Sequence, residues 1–164
     1  MKIMYGNILN ETRGVIVHGV SCRGVMGKGV ALDIKNHYPS TFNDYYKKCM
    51  MASNIATLLG EIVTSRIRED LFIVNAFTQR NYGKYHNWTQ ENYDAIRSCF
   101  YKVNIIAKHY NLPVFFPMIG AGLGKGDWLQ IKEIILNTLD KDVDKTLYIL
   151  QEPQQFNNCA NCND

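Results

Sequence analysis

Val17-His18-Gly19-Val20-Ser21-Cys22-Arg23-Gly24-Val25-Met26-Gly27-Lys28-Gly29-Val30-Ala31-Leu32 gathers Gly19, Gly24, Gly27 and Gly29 in one window. The β-favouring run Val15–Val17 leads into a glycine-rich loop, and the loop leads into Val30–Tyr38, which has helical spacing. Glycines let backbone N–H groups approach an anion closely, and a helix N-terminus adds a favourable dipole. A second window, Pro117-Met118-Ile119-Gly120-Ala121-Gly122-Leu123-Gly124-Lys125-Gly126-Asp127-Trp128, repeats the arrangement after another apolar run, Val114–Pro117. Two facing loops of this kind suit a diphosphate; either alone would serve equally as a tight turn. Neither carries GxxxxGK[ST] or the dinucleotide glycine spacing, so spacing by itself stops at a phosphate or nucleotide ligand.

Outward from these windows the chain reads as strands alternating with helices. Lys2–Tyr5 is a short β-favouring run. The Val30–Tyr38 helix ends before Pro39, because a residue preceding proline avoids the helical region. Phe42, Tyr45, Tyr46 and Cys49 then repeat at helical spacing, with Ser40 or Thr41 as N-cap. Ile55–Ser65 and Leu71–Phe77 are rich in Ile, Val, Leu and Phe and suit buried strands. Thr89 caps the longest helix, on which Tyr93, Ile96, Phe100, Val103, Ala107 and Tyr110 recur every three or four residues. Lys108 and His109 complement the dipole in its last turn, and Asn111-Leu112-Pro113 ends it. Asp127 with Gln130 resembles a capping box before the Trp128–Leu139 helix, and Lys145–Leu150 is the last strand. The order ββααββαβαβ predicts an α/β sheet with helices on both faces. Both glycine windows then follow strands, where open α/β sheets bind ligands.

A chain of 164 residues fits one domain, enough to bury roughly 70% of its unfolded surface. With 46% hydrophobic residues and a net charge of +3 it is not compositionally disordered. The 18 basic residues are scattered among 15 acids, so charge does not imply nucleic-acid binding. No apolar run approaches the ~20 residues of a membrane span, and MKIMYGNILNE lacks a signal-peptide core. The irregular cysteines (Cys22, Cys49, Cys99, Cys159, Cys162) read as reduced thiols of a cytoplasmic protein. Cys159-Ala-Asn-Cys162 lacks the second ligand pair of a structural zinc site, and no metal or cofactor is expected. Trp88 and Trp128 border helix starts and read as packing residues, while Arg23, Lys28 and Lys125 suit either steering of an anion or a solvated rim.

Gly6-Asn7-Ile8-Leu9, Val17-His18 with Gly24–Ala31, and Pro117–Gly124 with Trp128, taken in that order, resemble a macrodomain, the ADP-ribose-binding fold. The resemblance covers about residues 2–150 and implies a three-layer α/β/α sandwich with a central mixed sheet. On that basis a macrodomain is expected over 1–151, followed by a polar tail over 152–164. Within the family the chain is similar to the compact group that includes ADP-ribose 1″-phosphate phosphatases, ADP-ribosyl-glutamate hydrolases and antitoxins that remove ADP-ribose from DNA. Gly24–Gly29 looks like the antitoxin branch; Ile16-Val17-His18, Phe77-Thr78 and the spacing to Gly83 and His86 look like the phosphatase branch.

The resemblance implies roles for individual residues. Gly6 and Asn7 open the adenine side, where many macrodomains have an aspartate on the adenine amino group; an asparagine carbonyl accepts the same bond without the charge. Ile8 contributes a backbone amide and a flank to the base, and Leu150 an adenine-side contact. Gly19, Val20 and Ser21 line the distal ribose. Met26, Gly27, Lys28, Gly29, Val30 and Ala31 form one phosphate loop; Met118, Ile119, Gly120, Ala121, Gly122, Leu123 and Gly124 form the other. His18 stands where the phosphatase pattern has histidine, as nucleophile toward phosphorus or base for water, and His86 matches a second histidine there.

Two departures count against hydrolysis through a covalent lysine adduct. This chain has Thr78-Gln79 where the deglycosylating relatives have a Thr-Lys pair, and Gly124 where they have an acid after the second-loop Gly-Leu. Asp127, three residues further on, could supply the acid, but its position reads first as a helix N-cap. The expectation is a monomeric phosphatase that converts ADP-ribose 1″-phosphate to ADP-ribose, with no membrane partner and nucleic acid only as an ADP-ribosylated substrate. The alternatives are a de-ADP-ribosylating hydrolase for protein or nucleic acid and a non-catalytic ADP-ribose reader or sponge.

Overall fold

A computed structural model describes residues 1–83, 87–122 and 125–150. Ten elements follow one another: β1 (Lys2–Tyr5), β2 (Gly14–Ser21), α1 (Gly29–His37), α2 (Pro39–Met51), β3 (Ile62–Arg68), β4 (Leu71–Gln79), α3 (Gln90–Tyr110), β5 (Val114–Phe116), α4 (Trp128–Thr138) and β6 (Lys145–Ile149). This is the order the apolar pattern predicts. The strands form one sheet, β1-β6-β5-β2-β4-β3. All neighbours are parallel except β3, which runs antiparallel to β4.

The sheet is mixed and sandwiched, as expected. β2 and β4 are interior strands buried along nearly their whole length, which is why both read as mostly apolar runs. Val15 and Val17 of β2 join Ile96, Phe100 and Val103 of α3 and Ile131 and Ile135 of α4 in the larger core. The intervening Ile16 and Val20 face the opposite layer, with Ile34 of α1 and Tyr45 and Cys49 of α2. Strand alternation thus assigns β2 side chains to the two helical layers by parity.

Local chemistry sets the element ends. α1 stops at His37 and α2 starts at Pro39, where proline's missing N–H costs nothing. Neither Ser40 nor Thr41 caps α2, because the chain turns at Tyr38, one residue ahead of the proline. Asp127 caps α4 by accepting from the Leu129 N–H at 3.0 Å, the role its position predicts. The expected strand Ile55–Ser65 divides: Ile55–Leu58 is a 3-10 turn capped by Asn54, and β3 begins only at Ile62. Gly60, at φ +86°, makes the break, and its N–H bonds Phe77 O at 2.8 Å. The C-terminal ends of the parallel strands meet at one end of the sheet, with α1 and the loop after β5 beside them.

Candidate functional site

At that end lies a cavity of about 160 Å³. Gly6, Asn7, Ile8 and Leu9 form one wall, Val30 and Asp33 of α1 another, and Pro117 and Met118 a third, with Tyr148, Ile149 and Leu150 behind. Gly6 N–H bonds Ile149 O at 3.0 Å, which draws the chain after β1 across the end of β6. The cavity is smaller than the ~300–1,000 Å³ of a pocket enclosing a whole drug-sized ligand, so it takes one ring system of an extended molecule. It gathers Gly6, Asn7, Ile8, Val30, Met118 and Leu150 from the residues expected on sequence grounds. It adds Leu9, Asp33, Pro117, Tyr148 and Ile149, which the sequence reading did not single out.

Val30 and Met118 line the cavity and follow or precede the glycines of the two loops in the chain. The Lys28 side chain makes no cap at the start of α1, so the first-turn N–H groups have no side-chain acceptor. Gly29 sits at φ +59°, and a Cβ there or at Gly122 would meet nothing within 4 Å. Backbone at these two positions is open to close approach. Gly120 and Gly126 serve packing instead. A Cβ at Gly120 would lie 2.3 Å from Cζ2 of Trp88, and one at Gly126 2.8 Å from Ile131 and 3.0 Å from Trp88. Gly126 N–H also bonds Gly120 O at 2.8 Å, closing the second loop over the indole. Gly19 is wedged against Thr78 Oγ1 at 2.8 Å and Ile119 at 3.0 Å. Trp88, read as a packing residue, is the floor of the second loop.

The first loop is held from below by Tyr45, which sequence reasoning placed on a helix face but gave no task. Its buried hydroxyl donates to Ser21 O at 2.6 Å and accepts from the Gly24 and Val25 N–H groups at 3.0 and 3.2 Å. Burial pushes this phenol up to about 12, so it remains a donor at any physiological pH. Tyr45→Phe keeps the ring but removes the partner of three backbone groups, those of Ser21 and Gly24 buried, and is expected to cost about 1–3 kcal/mol in urea unfolding. Faster amide exchange at Gly24 and Val25 would locate the loss.

Several expected contacts carry buried side chains. Val20 and Met26, 4% and 2% exposed, belong to the core under α2, and Ile119, 3% exposed, to the core under α3. Any ligand contact from these three is through backbone. Ala31 packs partly buried against the same core as Met26, and Ala121 follows Gly120 in the second loop. Ser21 is also buried, with its Oγ accepting from the Arg23 N–H at 3.3 Å. Arg23 reaches Asn81 Oδ1 at 2.7 Å, while Lys28 and Lys125 stay exposed. His86, Leu123, Gly124, Cys159 and Cys162 lie outside the described residues. Burial raises the Cys22 thiol to about 11 and the Cys99 thiol to about 12, which leaves neither as a nucleophile.

His18 is held at the heart of the sheet. It lies on the Ile16/Val20 face of β2, 2% exposed and paired in register with Asn75 of β4. Its Nε2 meets Asn75 Oδ1 at 2.5 Å, and Asn75 Nδ2 donates to Thr41 O at 3.2 Å. Because Asn75 spends its donor on a carbonyl, Nε2 must carry the proton. Desolvation lowers the imidazole pKa to about 4, against the raising effect of the Asn75 bond. Its other ring nitrogen, Nδ1, is buried without a hydrogen-bond partner among the described residues. The side chain acts as a strut between β2, β4 and the first turn of α2. Among the described residues no cluster of His, Cys, Asp and Glu could hold a metal ion.

The Macro domain family model matches residues 17–135, which span both glycine loops and the strands that carry them. The chain belongs to the Macro domain family. This macrodomain is 28% identical over 145 residues to the DNA ADP-ribosyl glycohydrolase of Mycobacterium tuberculosis, covering 87% of this chain and 40% of that protein. The macrodomain thus spans less than half the length of that relative. The solved macrodomain of Mycobacterium tuberculosis DarG superposes with a TM-score of 0.73 at 27% identity, covering 89% of this chain and 96% of that one. A shorter match, 38% over 52 residues, is to the ADP-ribose 1″-phosphate phosphatase of Meyerozyma guilliermondii, covering 31% of this chain and 30% of that protein. No described helix is long and apolar enough to cross a membrane.

Proposed function

We propose that this macrodomain binds ADP-ribose and hydrolyses the bond to a substituent at C1″. One observation carries the reading: the cavity walled by Asn7 and Ile8 is also lined by Val30 and Met118, one residue from each glycine window. Adenine fills the cavity, the Ile8 N–H and the Leu150 end of β6 flanking it. The diphosphate lies between the uncapped start of α1 and Gly122, and the distal ribose extends toward Gly19 and Ser21. Loop N–H groups offset charge that develops during the reaction.

The substrate favoured by Thr78-Gln79 is ADP-ribose 1″-phosphate, because glutamine cannot form a lysine adduct with the sugar. Water attacks phosphorus, the P–O bond to C1″ breaks, and the leaving oxygen takes a proton to give ADP-ribose and phosphate. His18 contributes by holding the end of β2, not by touching the phosphate. A second reading, removal of ADP-ribose from DNA, is supported by similarity to a DNA ADP-ribosyl glycohydrolase over 87% of the chain. Calorimetry with ADP-ribose, followed by turnover of ADP-ribose 1″-phosphate beside ADP-ribosylated DNA, tests both. Phosphate release supports the first and freed DNA the second. Tight ADP-ribose binding without turnover of either would make the chain a reader, and absence of binding would overturn the whole proposal.

A further inference from the structure

We propose that two copies of this chain pair through their β1 strands, in place of the monomer expected from the sequence. β1 ends the sheet order, so among the described residues only β6 pairs with it. All four of its residues are exposed, Ile3 at 52%, Met4 at 48% and Tyr5 at 62%. An open edge of this kind is a template for a further strand, and proteins usually blunt it with charge, proline or a bulge. The far edge has such devices: β3 carries Arg66 and Arg68, with a register shift between them. β1 reads Lys2-Ile3-Met4-Tyr5, has no proline, and keeps its register with β6 without a shift.

The hydrogen bonds of the sheet fix which backbone groups face outward. Val114 N–H bonds Asp144 O, so the backbone of Thr146 and Tyr148 faces β5 and that of Leu147 and Ile149 faces β1. Gly6 N–H bonds Ile149 O in agreement. The backbone of Lys2 and Met4 therefore turns toward β6, and that of Ile3 and Tyr5 away from it. Two antiparallel copies of this edge match when their two-fold axis passes beside Met4. Ile3 then exchanges N–H···O bonds with Tyr5 of the partner subunit, and Tyr5 with the partner's Ile3. Both pairs set an aromatic ring against a β-branched side chain on one face of the sheet, a favourable cross-strand combination. Met4 meets its own copy as a non-hydrogen-bonded pair, where side chains approach closest. Lys2 falls opposite the partner's Gly6, so the two lysines stay apart. Each also sits at the rim of the other copy's cavity, which Gly6 lines. The edge thus complements itself in hydrogen bonds, side chains and charge, which singles out a second copy as its occupant.

The residue on the axis gives the test. Met4→Lys or Met4→Glu sets like charges face to face, and each alone should weaken association at least about tenfold. Mixing the two variants opposes unlike charges and should restore association to within about threefold of the unmodified chain. Sedimentation velocity on the full chain reads the outcome. A four-residue edge makes a small interface, so the average mass should rise from that of one chain at about 1 µM toward that of two at about 500 µM. Thermal unfolding of each variant should stay near that of the unmodified chain, because Met4 is half exposed. A mass that stays at one chain throughout overturns the inference. So does association that survives both substitutions, or a mixture no more associated than its parts.

Discussion

Gly120→Ala should destabilise the protein by about 2–4 kcal/mol and weaken ADP-ribose binding with it. Two costs combine. Gly120 has φ +73°, a region that costs an L-residue about 1–2 kcal/mol. The new methyl would also lie 2.3 and 2.6 Å from two carbons of the Trp88 ring, and overpacking of this kind costs about 1–3 kcal/mol. The indole cannot simply yield, since it packs edge-on to Tyr93 at 5.3 Å and against the core. Tyr93 in turn accepts from the Asp127 N–H at 3.1 Å, so displacing Trp88 disturbs both ends of the loop. Gly122→Ala is the control. A methyl there meets nothing, and stability should stay within about 0.5 kcal/mol. Its effect falls on ligand approach alone. Urea unfolding and calorimetry on the two variants should separate a packing glycine from a binding one; equal unfolding midpoints would refute the assignment.

That division among glycines marks the limit of what the sequence discloses. Element order is legible because each element carries its own signal: the period of Tyr93 to Tyr110, the proline at 39, the largely apolar run Leu71–Phe77. Clustered glycines announce a loop that needs close approach but not what approaches it. At 29 and 122 there is open space; at 120 and 126 there is Trp88, more than thirty residues away in the chain. Tyr45 is similar. Helical spacing makes it a core residue, yet only the tertiary fold brings its hydroxyl under Gly24 and Val25. Ile55–Leu58 misleads because apolar content favours strand, while Asn54 and Gly60 at its borders are turn residues whose combined effect is a 3-10 turn.

For His18 a usable signal was present: Asn75 interrupts an otherwise apolar central strand, and a lone buried amide needs a partner. The strut this makes has a measurable consequence in acid. The imidazole pKa is about 4 in the folded chain, against an ordinary value of 6.5. Between these values the unfolded chain binds a proton that the folded chain excludes, so stability rises with pH across that window. It should be complete above about pH 6.5 and fall by about 3 kcal/mol as pH drops to 4. His18→Asn retains a donor for Asn75 Oδ1 without a titrating group, and should remove this component of the acid dependence. His18→Ala leaves Asn75 Oδ1 unbonded beside a void, at a cost of about 2–4 kcal/mol at every pH. The same pair tests the chemistry. If His18 only positions β2, His18→Asn should turn over substrate within about tenfold of the unmodified chain, whereas loss of a nucleophile or general base costs at least about 10²-fold. Denaturant midpoints from pH 4 to 8, with single-turnover rates at pH 7, read both. A His18→Asn chain with an unchanged acid slope, or with activity abolished while still folded, would return the histidine to the reaction itself.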